Sequence, residues 1–488
     1  LGTTRGTNAL LTRRGARTAL VTTAGLGDVL EIGYQNRPRL FDLSIEKPAP
    51  IIAATLEVQE RIDADGRVLI EPQEEVIRPQ LRRLLSDGIE SLAVCLMHAY
   101  RNADHEQFVA RIAREVGFEE VSCSHQVAPL IKIVARGDTT GVDAYLNPIL
   151  RNYVRSLRSG LGQGSELCML TSAGGLVEAE HFLGKDSILS GPAGGVVGFS
   201  KVASAAGYPR AIGFDMGGTS TDVTRFDGEY ELQYETVKAG VRVVAPMMAI
   251  ETVAAGGGSL CQFDGVKLTV GPDSAGADPG PACYGRGGPL TVTDMNLVTG
   301  RLLPSAFPFP LDTTAVHRAL KQLSKRLSST LGQQWEPLAL ARGFLQVANA
   351  NMAKAIRAVS VTRGYDPRDY VLVSFGGAAP QHACAIADEL GMQAVLNHPD
   401  GGILSAYGIG MADIVRHRVA GIYQPWQPDL DSEIRSVLAR LTAEVVEEIE
   451  GEGVPVDRIS VQESLDLRYQ GVDAYLTISR PDDGDYRA

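Results

Sequence analysis

The residues Gly213–Val223 constrain this chain more than any other stretch. An apolar, strand-like approach (Ala211, Ile212, Phe214) runs into two adjacent glycines, Gly217 and Gly218. Three hydroxyl residues follow, Thr219, Ser220 and Thr221, and the aspartates Asp215 and Asp222 stand on either side. Glycines leave room for a tight turn whose N–H groups approach an anion. The hydroxyls add further donors. Two carboxylates beside a phosphate repel it unless a cation intervenes. Mg²⁺ with part of its water shell is suited to one or two carboxylates plus phosphates. No Gly-Lys-Ser/Thr follows, so the stretch is not a P-loop. Two readings stay open at this point: a phosphate-binding hairpin, and an ordinary β-hairpin with a polar turn.

The rest of the chain supplies the frame. Its 488 residues are enough for two to four domains. A net charge of −12 argues against non-specific nucleic-acid binding. The six cysteines form no CxxC pair, which removes zinc-ribbon and disulfide-framework readings and suggests reduced thiols in the cytoplasm. No apolar run is long enough for a membrane-spanning helix, and no signal peptide opens the chain. The chain starts at Leu1 rather than Met and stops just after the run Tyr475–Ile478, so both ends read as incomplete.

The periodicity predicts helices near 7–14, 76–86, 104–116, 140–157, 338–361, 380–390 and 433–450. It predicts strands near 17–22, 91–98, 167–170 and 370–374, with a hairpin over 51–69 turning at Asp65-Gly66. Residues 34–50 read as a loop. Residues 190–198 (SGPAGGVVG) carry four glycines and suggest a helix pressed against another backbone or a ligand. The Gly/Pro/Asp-rich stretch 253–295 is long for a loop and is expected to be ordered and functional. At Phe375-Gly376-Gly377 a strand gives way to a helix, where N–H groups face an anion or an adenosine.

Four glycine-bearing elements thus follow in order: 190–198, 213–222, 374–384 and 401–411. Their order resembles the later motifs of the actin/sugar-kinase/Hsp70-like ATPase fold, an α/β architecture with two domains around a nucleotide cleft. In that fold a first phosphate hairpin lies near the N-terminus; here it would precede Leu1. A narrower resemblance covers nearly the whole chain. LGTTRGTNALLTRRGARTALVTT, RGDTTGVDAYLNP, LSGPAGGVVGFS, GFDMGGTSTDV, VGPDSAGADPGPACYGRGGPLTVTDMNLVTGRLLP and FGGAAPQHACAIADELGM resemble the hydantoinase A/5-oxoprolinase family. The departures are Leu1, where the family usually has His, and Arg5, where a small or apolar residue is usual.

The resemblance implies an ATP-dependent opening of a cyclic amide such as 5-oxo-L-proline. It implies Asp215 and Asp222 as the catalytic, Mg²⁺-orienting pair, with the ion held through water. It further implies Gly217, Gly218, Thr219 and Ser220 around the phosphates and Gly376 and Gly377 beside the adenosine. A hydantoinase B-type subunit or region is the implied partner, alongside possible self-association; neither nucleic acid nor membrane is expected. Relatives that share the motifs include N-methylhydantoinase subunits and ATP-using subunits of acetone- and acetophenone-type carboxylases. A non-enzymatic actin-like scaffold is the third alternative.

Weaker candidates are the cluster Arg136, Asp138, Thr139 and Thr140, read either as a substrate-cleft element or as a helix N-cap. Asp278 and Asp294 are candidates to line the cleft. His382 follows the glycine pair and reads as a packed histidine or a ligand. The expected domains are a partial N-terminal α/β domain over 1–195, a second ATPase-like domain over 196–425 with the insertion 253–295, and the start of a C-terminal domain over 426–488.

Overall fold

The computed structural model describes residues 1–488 except 36, 38–40, 42, 46–47, 163, 428–429, 473–474, 482–485 and 487–488. Parts of the loop 34–50 and of the C-terminal tail therefore lie outside the described residues.

The first half is built on four parallel strands: β1 (Thr18–Thr23), β2 (Ile52–Val58), β3 (Ser91–Cys95) and β4 (Glu120–Cys123), in the order β2-β1-β3-β4. Strands β1 and β3 are buried along their whole length, which is why they read as continuous apolar runs rather than alternating ones. Helices α1 (Glu74–Ser86) and α2 (Asp104–Val116) cover one face, with Ile77, Leu81, Val109 and Ile112 in the shared core. Gly117, at φ 118°, ends α2.

Two local expectations change. The alternation over 51–69 is not one hairpin: β2 joins the edge of the parallel sheet, and only Arg61–Ile62 and Val68–Ile70 pair as a hairpin. The helix expected from residue 140 is α3, which runs Ile133–Gly160. Gly137 and Gly141 lie against Leu30 and Ile52, so their lack of a side chain lets the helix sit close to the sheet side. Arg136, Asp138, Thr139 and Thr140 are therefore inside the helix, not at its N-cap, which is Lys132.

The second half begins with α4 (Ser190–Ala205). It continues through β5 (Arg210–Met216), β6 (Thr221–Asp227), β7 (Thr236–Lys238), β8 (Val241–Val243) and β9 (Glu251–Val253). After α5 (Val292–Val298) come α6 (Pro337–Val359), β10 (Val371–Phe375), α7 (Pro380–Leu390), β11 (Val395–Asn397) and α8 (Leu404–Gly410). The sheet order is β9-β6-β5-β10-β11, antiparallel through β9, β6 and β5 and parallel through β5, β10 and β11. Helix α6 starts on Pro337 and buries Phe344, Met352 and Ile356 in the core on which Phe214 and Leu372 also lie.

Helix α4 crosses α8 backbone on backbone. A Cβ at Gly408 would stand 2.0 Å from the Gly194 carbonyl oxygen, and one at Gly198 would stand 2.5 Å from that of Leu404. The small residues of 190–198 thus serve contact with a second main chain. Because α4 runs unbroken across residue 195, we propose that the first domain junction lies at its N-terminal end. The C-terminal α9 (Leu430–Gly451) is anchored by Arg416, which bonds Glu448 at 2.8 Å and also pairs with Glu452. No helix among the described residues is long and apolar enough to cross a membrane.

Candidate active site

Strands β5 and β6 form a hairpin in which Asp215 lies directly opposite Asp222, so both side chains leave the sheet on one face. That face meets α4: Pro192, Val196 and Phe199 line a small cavity with both aspartates and Phe375. Burial and the neighbouring Asp222 push the Asp215 carboxyl up to about 6, against the nearby Ser405 hydroxyl, which lowers it. Asp222 is also raised by burial, offset by the Thr252 hydroxyl, 2.7 Å away, and by the charge of Lys238. Neither carboxylate forms an ion pair among the described residues. Two opposed oxygen donors with no ion-pair partner fit a hard divalent cation of the Mg²⁺ type.

The turn above the pair is open. Gly217 and Gly218 do not use the left-handed backbone region, so conformation does not require glycine there. A Cβ on Gly218 would meet nothing within 4 Å, and a Cβ on Gly217 would touch only the Ser220 carbonyl at 4.0 Å. What the two glycines leave is an uncovered backbone. Gly217 N–H closes the turn onto the Ser220 carbonyl at 3.1 Å. Among the described residues, the N–H groups of Gly218, Thr219 and Ser220 find no acceptor. Three free backbone donors at an exposed turn form a nest for an anion. Thr221 does not join it, because its buried hydroxyl donates to the Ala255 carbonyl.

The stretch 253–295 is ordered, and its first glycines brace this turn. Gly257 N–H donates to the Gly217 carbonyl at 3.0 Å, and Gly258 N–H donates to the Gly218 carbonyl at 2.6 Å. A Cβ on Gly256 would lie 2.6 Å from the Thr219 backbone. Thr293 N–H in turn bonds the Gly257 carbonyl at 2.8 Å. On the other side, Gly376 is packed against the pair: its φ is 81°, and a Cβ would sit 2.4 Å from the Asp215 Oδ1. Gly377 faces open space.

The remaining candidates separate. Arg136 is buried; its guanidinium donates to the carbonyls of Leu130 at 3.0 Å and Leu96 at 2.5 Å and stacks over Tyr100. It pins the N-terminal half rather than facing a cleft. Thr139 donates to the Ala135 carbonyl at 2.7 Å and accepts from Val244 N–H at 2.9 Å, tying α3 to the chain after β8. Asp138 beside it has no hydrogen-bond partner, and burial pushes it up to about 7 against the pull of Arg242. Asp278 is exposed on its loop. Asp294 does not line a cleft: it is fully buried and accepts from the N–H groups of Ala282, Cys283 and Thr291 at 3.1, 2.8 and 2.8 Å. With Thr291 it forms the capping box of α5, a pattern readable in the sequence as Thr-x-x-Asp. His382 is buried and accepts from Asn296 at 3.0 Å and donates to Asn349 at 2.7 Å, the packed alternative of its two readings.

Sequence reasoning missed Thr252, Ser405, Lys238 and Gly256–Gly258 as neighbours of the aspartates or their turn. It also missed the group Glu106, Cys123 and His125, whose ligand atoms lie within 4.8 Å of one another. The Glu106 carboxylate is already used by Leu96 N–H at 2.9 Å, by the Ser124 hydroxyl at 2.5 Å and by His125 Nδ1 at 2.6 Å. It reads as an internal anchor.

The α/β frame thus carries an open glycine turn over a pair of carboxylates. The hydantoinase/oxoprolinase domain matches residues 136–418, and the hydantoinase/oxoprolinase N-terminal region matches residues 1–117. The chain belongs to the hydantoinase/oxoprolinase family. A 5-oxoprolinase of Dictyostelium discoideum is 39% identical over 100% of this chain and 43% of its own length. The chain thus spans less than half the length of that curated relative. The caprolactamase alpha subunit of Pseudomonas jessenii is 32% identical over 96% of this chain and 70% of its own. The crystal structure of the ATP-dependent caprolactamase from that organism superposes with a TM-score of 0.86 at 29% identity, covering 100% of this chain and 72% of that one. A nucleotide-free acetone carboxylase superposes at 0.75 with 25% identity, covering 98% and 72%. These neighbours bear out the mixed α/β fold class.

Proposed function

We propose that this chain carries the ATP-using half of an enzyme that opens a cyclic amide by hydrolysis, with 5-oxo-L-proline giving L-glutamate as the preferred reaction. The single observation that carries the reading is the Asp215–Asp222 pair beneath an uncovered turn with three free N–H groups. Its setting supports the choice of reaction: a 5-oxoprolinase is 39% identical across the whole chain.

A five-membered lactam resists water because amide resonance protects its carbonyl. Transfer of the γ-phosphoryl group of ATP to the amide oxygen converts that oxygen into a leaving group, and water then attacks the carbon. Positioning and charge neutralisation provide most of the catalysis in such a transfer. In this reading Gly217, Gly218, Thr219 and Ser220 hold phosphate oxygens, and Gly377, with Gly376 behind it, borders the adenosine. Asp215 and Asp222 orient a hydrated Mg²⁺, which when bound offsets the phosphate charge. Of the substrate candidates, Asp138 keeps a free carboxylate, whereas Arg136 and Thr139 act through the fold and Asp278 waits on an exposed loop.

The hydrolytic half belongs to a B-type partner subunit or region; the subunit name of the caprolactamase relative supports such a division. Self-association is a further expectation. Six free cysteines support a reducing, cytoplasmic setting. The likeness to acetone carboxylase supports one alternative, an ATP-using carboxylase subunit. The two readings separate when the full-length protein is incubated with ATP, Mg²⁺ and 5-oxo-L-proline while glutamate and ADP are followed. Glutamate formed in step with ADP supports hydrolysis. Bicarbonate-dependent ATP turnover with a ketone, and no glutamate, overturns it.

A further inference from the structure

We propose that Thr252 is a positioning residue for the hydrated cation: its hydroxyl fixes one oxygen of Asp222 and leaves the other free for the water shell of the ion. This deepens the function proposed above and rests on it.

Thr252 stands directly opposite Asp222 in the β6–β9 ladder, as Asp215 does on the other side of Asp222 in the β5–β6 ladder. Directly paired residues share a face, so the three side chains leave the sheet together. The Thr252 hydroxyl donates to Asp222 Oδ1 at 2.7 Å. Among the described residues, Asp222 Oδ2 accepts no hydrogen bond. An aspartate carboxylate turns easily about its last torsion, whose preference is broad. A donor on one oxygen removes that freedom before the ion arrives, so less ordering remains to be done on binding. The same bond favours the charged carboxylate, against the burial that disfavours it.

Threonine is a good strand residue, and strand propensity alone would account for it on an edge strand. Two observations go further. Thr252 is exposed, so it fills no core position. The chain also runs from it straight into the residues that brace the glycine turn. Val253 pairs with Thr221, whose hydroxyl donates to the Ala255 carbonyl, and Gly257 and Gly258 bond the carbonyls of Gly217 and Gly218. One run, 252–258, thus holds the carboxylate at one end and the turn with its free N–H groups at the other. Forming a strand needs no hydroxyl, and valine would serve it as well. Orienting a carboxylate needs the hydroxyl, and partners that orient metal-holding groups in this way commonly decide how tightly the metal is held.

The test uses full-length protein and the variants Thr252→Val and Thr252→Ser. Mn²⁺ is the probe, its binding followed by EPR in the presence of a non-hydrolysable ATP analogue. Lactam-dependent ADP release as a function of Mg²⁺, and Tm, are measured on the same preparations. Thr252→Val is expected to weaken Mn²⁺ binding about tenfold and to raise the Mg²⁺ needed for half-maximal turnover by about the same factor. KM for the lactam and Tm should stay as in wild type, since the substitution is isosteric and exposed. Thr252→Ser keeps the hydroxyl and should bring both metal readouts back to within about threefold of wild type. A Mn²⁺ affinity of Thr252→Val within about twofold of wild type overturns the assignment. So does a Thr252→Ser variant as impaired as Thr252→Val, or a weakened affinity that comes with a lowered Tm, because packing would then be the cause. If the wild-type protein itself binds no Mn²⁺ with the analogue, the functional reading falls and the assignment falls with it. The wild-type control alone distinguishes that outcome.

Discussion

Asp215 and Asp222 face each other across the β5–β6 ladder, and the charge of Asp222 adds to burial in raising Asp215. The pair is arranged against its own electrostatics. Asp215→Asn should therefore leave Tm unchanged or slightly higher while lowering ATP turnover by about 100-fold or more. Calorimetry and ADP release measured on the same preparation check it. Normal turnover in the variant would remove Asp215 from the mechanism.

Gly376 and Gly377 are adjacent, yet their substitution should have opposite consequences. Gly376→Ala places a Cβ at φ 81°, 2.4 Å from the Asp215 Oδ1, and should cost about 1–2 kcal/mol from the backbone alone, with lost turnover. Gly377→Ala meets no protein atom within 4 Å and should stay within about 0.5 kcal/mol of wild type. Its effect should be confined to a raised KM for ATP. Equal Tm losses in both variants would contradict the geometry.

At most helical positions Gly→Ala gains stability, about 0.5–1 kcal/mol. Gly408→Ala should do the reverse, because the new methyl group would fall 2.0 Å from the Gly194 carbonyl. Overpacking of this kind costs about 1–3 kcal/mol, read as a lower urea midpoint at unchanged m-value.

His382 gives the fold a pH response. Burial, with a smaller contribution from Arg301, lowers it to about 4, so the folded protein holds a neutral imidazole that donates to Asn349 and accepts from Asn296. Between the ordinary histidine value near 6.5 and about 4, the unfolded chain binds the extra proton. Stability is then complete above about 6.5 and declines as pH falls through that window, by up to about 3 kcal/mol for this group. Urea titrations at pH 7 and 4.5 should show the decline, and His382→Gln should lessen it.

The sequence is legible where a local pattern is the physical cause. The Gly213–Val223 hairpin forms as read because an apolar strand runs into a polar, glycine-bearing turn, and helix 380–390 is closed by Gly391 at φ 70°. The start of α3 was hidden because Gly137 and Gly141 argue against a helix in isolation. Their use, close approach to Leu30 and Ile52, exists only in three dimensions. Strand β2 was misassigned because alternation does not reveal which partner an edge strand takes. Ser405 and Lys238 reach the aspartates from distant elements, so no spacing reveals them. Asp294 is the avoidable error, since Thr291-x-x-Asp294 announces a helix cap.

The crossing of α4 and α8 has a mechanical consequence. At Gly194, Gly198 and Gly408 the two helices meet without an intervening side chain, so no rotamer is available there to absorb a displacement. Pro192, on the first turn of α4, lines the aspartate cavity, and Ser405, on the first turn of α8, stands beside Asp215 and lowers its pKa. A rigid coupling joins those two points. Any tilt of one helix must arrive at the other nearly undamped, and the Asp215 carboxylate beside Ser405 is where that motion would be read.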